Sequence, residues 1–235
     1  MLLELLHWLG YGVCHQIPER TIHLAGQALP LCARCSGIYL GAAIGFTFML
    51  ATGRGKTGIM PPVPVLAVLM GFVGLFAVDG LNSYLTFFPG APHLYEPQNW
   101  LRLATGTLHG LAISFIVLPV FSFTFWKESG TTPAIKGFRE LAVLLAVAAA
   151  AVALSSAGLD PVLYLLAIVS SAGLLTMFTL LNGAIVLIVL RREGQGVRLS
   201  GLALPLGAGL LMGLAEIAAL DAGRLWLTAV LGLPF

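Results

Sequence analysis

The sequence predicts an all-α, polytopic membrane helix bundle of about six transmembrane helices, with an N-terminal Cys/His segment lying in the interface. Three observations predict it. Hydrophobic residues fill 58% of the 235 positions and charged residues only 9%, against roughly 25% charge in a water-soluble domain. Mean hydropathy is +0.96. Apolar stretches recur at 36–53, 63–88, 101–125, 138–158, 162–190 and 201–220, and each approaches or exceeds the ~20 residues that one bilayer crossing needs.

The opening MLLELLHWLGYGV carries Glu4 and His7 within 13 residues. That is too short to span, so it lies in the interface or re-enters. It has no basic n-region, which argues against a cleavable signal peptide. Residues 1–35 therefore read as an interfacial Cys/His segment and 36–220 as the bundle, together one integral membrane domain over 1–235. Pro61, Pro62 and Pro64 mark the start of the second span. The spans at 63–88 and 162–190 exceed one crossing and must tilt, kink or project. Arg54 to Pro62, Trp126 to Pro133 and Arg191 to Arg198 are polar loops, and none is long enough to be a soluble domain.

Twelve basic residues face ten acidic ones with no long basic run, so the chain lacks the electrostatic footprint of a nucleic-acid binder. With six spans, Arg54, Lys56, Lys127, Lys136, Arg139, Arg191, Arg192 and Arg198 share one face, eight of the twelve. Arg20, Arg34, Arg102 and Arg224 share the other. The positive-inside rule then puts both termini and the Cys/His segment on the exoplasmic side of the cell membrane.

All three cysteines, Cys14, Cys32 and Cys35, fall in the first 35 residues. Residues 14–41 read CHQIPERTIHLAGQALPLCARCSGIYLG, a ligand-rich insert directly before the first span. In Cys14, His15, Gln16, Pro18, Glu19, Arg20, Cys32, Arg34, Cys35, Gly37 and Tyr39 it resembles the domain-of-unknown-function 2085 family of small predicted membrane proteins. The likeness covers about 28 residues, with a looser match around LRLATG at 101–106. It implies a membrane protein with a functional Cys/His site and carries over no catalytic role.

The residues themselves say more. A C-x-x-C pair points two thiolates at one ion from a single turn, and Cys14 with His15 or His23 would complete a tetrahedral Cys3His set. Zinc leads, while copper(I) or an iron-sulfur centre also suits soft thiolates. His15 directly follows Cys14, and adjacent side chains rarely reach one ion without strain, so His23 is at least as good a fourth ligand. Four protein ligands would make a structural clamp. Three would make a Lewis-acid centre, with Glu19 or His15 shuttling protons. The rival chemistry is thiol-disulfide exchange by Cys32 and Cys35 at a helix N-terminus, with Cys14 as the shuttle or resolving thiol. The Pro18-Glu19-Arg20 triplet reads as a turn closed by an ion pair.

Ionisable residues inside spans are costly without a partner or a wet cavity. Asp79 and Asn82 share one helix face, and either the helix breaks at Gly80 or it runs on, leaving Asp79 about 14 Å below its end. Arg102, Thr105 and His109 form one stripe on the next helix, where Gly106 and Gly110 permit close contact. Asp79 is expected to meet His109 or a guanidinium there, and the structural version of that pair is the stronger. Glu216 is placed in the cysteine half of the membrane and Asn182 in the other. Cys14, Cys32, Cys35, Asp79, Arg102, His109 and Glu216 would then line one outward cavity. His7, His93, Tyr95 and Trp100 read as interfacial.

Three functions stay open. The first is a thiolate-rich metal site, structural or acting on a lipid-soluble or exoplasmic small molecule with membrane lipid around it. The second is a membrane thiol-disulfide oxidoreductase. The third is an ion- or proton-coupled carrier using Asp79, Arg102, His109 and Glu216. No P-loop, H-E-x-x-H or G-x-S-x-G appears, which removes weight from the corresponding chemistries.

Overall fold

Six helices in the computed structural model, which describes residues 2–231, are long and apolar enough to cross a bilayer. A short helix, α1 (Leu2–Tyr11), precedes them, followed by a 3-10 turn at Pro18–Arg20 and a hairpin of β1 (His23–Leu24) and β2 (Gln27–Ala28). The spans are α2 (Ala33–Ala51), α3 (Val63–Leu85), α4 (Asn99–Phe125), α5 (Phe138–Ser156), α6 (Asp160–Val189) and α7 (Ala203–Leu231), the last entered through a 3-10 turn at Leu199–Leu202. The all-helical membrane bundle is thus borne out, and α3 continues through Gly80 without a break.

The last helix runs eleven residues past the expected end at 220. Asp221 and Arg224 look like a stop in the sequence, yet both are paired with the segment that follows α1, so neither ends the helix. At about 1.5 Å per residue, α6 with its 30 residues is about 45 Å long, more than the ~30 Å hydrocarbon core. α1 leans on α6 and α7 rather than lying apart from the spans.

α4 is the most buried span and touches α2, α3, α5 and α6. Its closest neighbour is α2, and glycines make the closeness possible. Gly37, Gly41 and Gly45 recur every fourth residue on α2 and meet α4 at Leu103, Thr107 and Ser114; Gly106 and Gly110 of α4 meet the carbonyls of Arg34 and Ile38. A Cβ at any of these positions would overlap those atoms. Rising residue numbers match on both helices, so the two spans run parallel, in the manner of small-xxx-small membrane contacts.

At the basic-loop face, Arg54 closes the bundle. Its Nη1 and Nη2 each donate to a Glu140 carboxylate oxygen at 2.7 Å, and Nη1 also reaches the Ala134 carbonyl at 3.3 Å. This two-pronged pair is among the stronger ionic contacts a protein makes.

Gly110→Leu should therefore prevent α2 and α4 from meeting, costing at least the ~1–3 kcal/mol of core overpacking. Gly71, whose Cβ position has no atom within 4 Å, should tolerate alanine. Thermal unfolding in detergent compares the two, and equal melting would refute this packing.

Candidate metal centre

Cys32 is the residue before the first turn of α2, and Cys35 follows inside that turn, which fixes the two thiols side by side. Cys14 comes from the loop after α1, whose exit is tied down by the Cys14 amide donating to the Gly10 carbonyl at 2.8 Å. Its sulfur accepts the Cys32 amide at 3.2 Å. All three Sγ atoms lie within 4.8 Å of one another, a spacing at which they can hold one metal ion. Cys14 and Cys32 are buried and Cys35 is half-buried.

The cluster is arranged around one easily ionised sulfur. Hydrogen bonds from Cys14 and Cys35 hold the Cys32 thiol well below the ordinary thiol range. The same bond to Cys32, helped by burial, pushes Cys14 up to about 11. The α2 N-terminus adds its positive end at the same place.

Three side chains, Gln16, Arg224 and Asp221, hold the Cys14 loop in position. Gln16 sits in the left-handed region (φ 48°), an uncommon place for a side-chain-bearing residue. Its Nε2 donates to the carbonyls of His7 at 3.0 Å and Pro30 at 2.7 Å, which tie the two arms of the segment together. From α7, Arg224 donates to the carbonyls of Tyr11, Cys14 (2.7 Å) and His15 (3.0 Å). Asp221 Oδ1 accepts the Gly12 amide at 2.6 Å. Gln16 stands out in the sequence only as a signature residue and Arg224 only as one of four basic residues on its face, because their contacts are made across the chain.

His15 is exposed and its Nδ1 stands 3.8 Å from Cys14 Sγ. His23 is not brought to the thiols. It lies exposed on β1, turned away by the tight Ala25-Gly26 turn (φ 48° and 82°), the two-residue hairpin geometry that needs positive φ at both positions. The imidazole beside the cysteines is thus that of His15, reversing the order argued from adjacency. A cavity of about 490 Å³ opens beside them, lined by Cys14, His15, Ala219, Leu220, Arg224 and Leu227 among others.

Glu19 is exposed and its carboxylate forms no ion pair with Arg20. Arg20 instead reaches α3, donating to the Ser83 carbonyl at 2.9 Å and Thr86 Oγ1 at 3.2 Å, with its guanidinium 3.9 Å from the Phe87 ring centre. The expected turn forms at Pro18–Arg20, but without its ion pair, because two acceptors at the end of α3 take the guanidinium.

Asp79 meets a guanidinium, but that of Arg34, one of the two residues between Cys32 and Cys35. Arg34 Nε and Nη2 both donate to Asp79 Oδ2, the former at 3.2 Å, and Nη2 reaches the Asp79 carbonyl at 3.1 Å. Tyr95 donates to Oδ1 at 2.8 Å and Thr105 to Oδ2 at 3.2 Å. Burial and this donation push Tyr95 up to about 12, so it stays protonated. Arg102, expected beside Asp79, donates instead to Asn99 Oδ1 at 2.7 Å and to Ser83 Oγ at 3.5 Å. Asn82 pins the following loop, accepting the Leu94 amide at 2.6 Å and donating to the Tyr95 carbonyl at 2.9 Å.

His109 stacks on Phe76, ring centres 4.1 Å apart, and not on Asp79; its buried Nδ1 has no partner. Glu216 also stands apart from the Asp79 group. It is exposed on α7 and accepts a 2.9 Å bond from Asn182 of α6, so the two share one depth rather than opposite halves. The outward cavity expected from depth alone is not formed by all seven residues, because Asp79 is enclosed by Arg34, Tyr95 and Thr105.

Six apolar spans with a three-thiol group at one end define an integral membrane protein that can hold a metal ion. The chain belongs to the family described as Predicted membrane protein (DUF2085), whose pattern matches residues 14–116, from the first cysteine through most of α4. An uncharacterized protein of Methanocaldococcus jannaschii is 30% identical over 119 residues, 49% of this chain and 68% of that protein. An uncharacterized protein of Methanothermobacter thermautotrophicus is 30% identical over 104 residues, 44% of this chain and 83% of that protein. No solved structure matches the chain.

Asp79→Ala would leave Arg34 without its carboxylate and should lower stability by about 3 kcal/mol, the low end for a broken buried pair because Arg34 is 17% exposed. Thr105→Ala removes a neutral donor and should cost only about 1 kcal/mol. Denaturation in detergent ranks the two, and the reverse order would contradict the assignment.

Proposed function

We propose that this protein holds one zinc ion on Cys14, Cys32 and Cys35 and uses it on a lipid-soluble or exoplasmic small molecule that enters from the cavity beside Cys14. The observation that carries this reading is the mutual approach of three sulfurs from two separate segments within 4.8 Å. Zinc-sulfur bonds of about 2.3 Å in a tetrahedral arrangement require thiolates about this close. Three protein ligands with a cavity alongside leave a position open, the mark of a catalytic rather than a closed site. His15, exposed next to Cys14, is the group placed to take or give a proton. Hydrolysis or group transfer is the chemistry that an electrophilic ion with a neighbouring imidazole supplies.

Thiol-disulfide exchange is the second reading, and the depressed Cys32 thiol at a helix N-terminus favours it. Carrier function has less support, since Asp79 is enclosed by its donors and Glu216 sits apart from it.

Elemental analysis of the purified protein should find one zinc per chain. The metal should be lost in Cys14→Ser, Cys32→Ser and Cys35→Ser, weakened in His15→Ala and unchanged in His23→Ala. Uptake by the metal-free protein should release protons, so affinity should fall as the pH is lowered, because each ligand binds as a thiolate. A native mass two hydrogens short with no metal would replace this reading with the redox one.

Charge distribution supports an exoplasmic metal site, with the eight basic residues of the opposite face in the cytoplasm. Cysteines introduced at the exposed positions 128 and 193 should then be labelled only from the cytoplasmic side. Labelling from outside would invert the orientation and move the site indoors.

A further inference from the structure

Four arginines serve the cysteine end of the bundle, and one of them, Arg224, is engaged by the carbonyls of the Cys14 loop. The other three come from three different elements and converge on one residue of α3. Arg20 Nη2 donates to the Ser83 carbonyl at 2.9 Å, Arg34 Nη2 to Ser83 Oγ at 2.9 Å, and Arg102 Nε to the same oxygen at 3.5 Å. One carboxylate, Asp79, is bonded within this group, and it is held by Arg34.

Three guanidiniums less one carboxylate leave a net charge of +2 around Ser83. Repulsion within the group is felt: burial first, then Arg102 and Arg34, pull the Arg20 guanidinium below its ordinary range. Glu19 acts on Arg20 only as a weaker, exposed charge without an ion pair, and Glu96 is bonded to His93, so neither is hydrogen-bonded within the group. A divalent ion on three thiolates would carry −1, and even that neighbour leaves positive charge over.

Donors remain as well as charge. Arg20 Nε and Nη1, Arg34 Nη1 and Arg102 Nη2 have no hydrogen-bond partner among the described residues. Among the described residues, the buried side-chain atoms left without a partner are His109 Nδ1 and Ser171 Oγ, so none of these four guanidinium nitrogens is sealed from solvent. Forks held rigid from several directions suit an oxyanion with several terminal oxygens and more than one negative charge. A single carboxylate offers two oxygens and one charge, which Asp79 already supplies.

We propose that Arg20, Arg34 and Arg102 form a phosphoryl-binding site at the cysteine end of the bundle, receiving a phosphate- or diphosphate-bearing molecule. Arg34 lies between Cys32 and Cys35 in the chain, so the bound phosphoryl group is a neighbour of the thiol cluster. The phosphoryl group belongs either to a lipid headgroup or to a water-soluble phosphate, and both present the same oxygens to the same forks.

The test uses the full-length protein in detergent, with inorganic phosphate and pyrophosphate followed by calorimetry and phosphatidic acid followed by native mass measurement. Saturable binding of one of these probes is expected, weakening as salt is raised. It should fall about tenfold or more in Arg20→Gln and in Arg102→Gln, the loss expected for a charged hydrogen bond, and be unchanged in Arg198→Gln on the opposite face. Phosphatidic acid that pyrophosphate does not displace identifies a lipid headgroup; pyrophosphate binding without phosphatidic acid identifies a soluble ligand. Binding retained in Cys14→Ser would show that the anion site stands without the metal, whose own fate is read from metal content. No saturable binding of any probe, or equal binding by the wild type and both arginine variants, would overturn the proposal.

Discussion

The backbone contact between α2 and α4 is the constraint on which the rest of this structure depends. In a bilayer no hydrophobic force drives two apolar helices together, so close packing and polar contacts must hold them. The glycines at 37, 41, 45, 106 and 110 let the two backbones meet without intervening side chains. As a result the start of α2, with Cys32, Arg34 and Cys35, is level with Arg102 and Thr105 near the start of α4. Asp79 of α3 is then reached from both helices at once, by Arg34 and by Thr105. Without this approach the two cysteines of α2 would have no fixed position relative to the polar groups of α3 and α4.

The second tie comes from the other end of the chain. α7 supplies Asp221 and Arg224 to a loop more than two hundred positions earlier, and these two residues decide where Cys14 stands. Carbonyls as acceptors leave the guanidinium charged while satisfying the backbone of an irregular segment, a need that is acute beside a membrane. The thiol cluster is thus held between the first span and the last.

The spans were legible in the sequence because hydropathy is a local property, and five of the six end within a few residues of where the apolar runs stop. The sixth was misread at its end, since Asp221 and Arg224 resemble a stop unless their partners are known. The cysteine cluster was legible from its spacing and the family signature. Its imidazole was not: His23 is turned outward by positive φ at Ala25 and Gly26, a choice made by backbone conformation rather than residue type. The partner of Asp79 was missed for another reason. Depth counting compared neighbouring spans α3 and α4, whereas the guanidinium comes from α2, which the glycine stripe draws in. Glu216 and Asn182 were separated by the same depth argument, which took α7 to end too early.

A metal held by three thiolates, two from α2 and one from the loop that α7 secures, is the central claim. X-ray absorption at the zinc edge of the purified protein tests it most directly. The account predicts three sulfur neighbours at about 2.3 Å and one nitrogen or oxygen neighbour at about 2.0–2.1 Å. A first shell of nitrogen and oxygen alone, or one with fewer than three sulfurs, would contradict it.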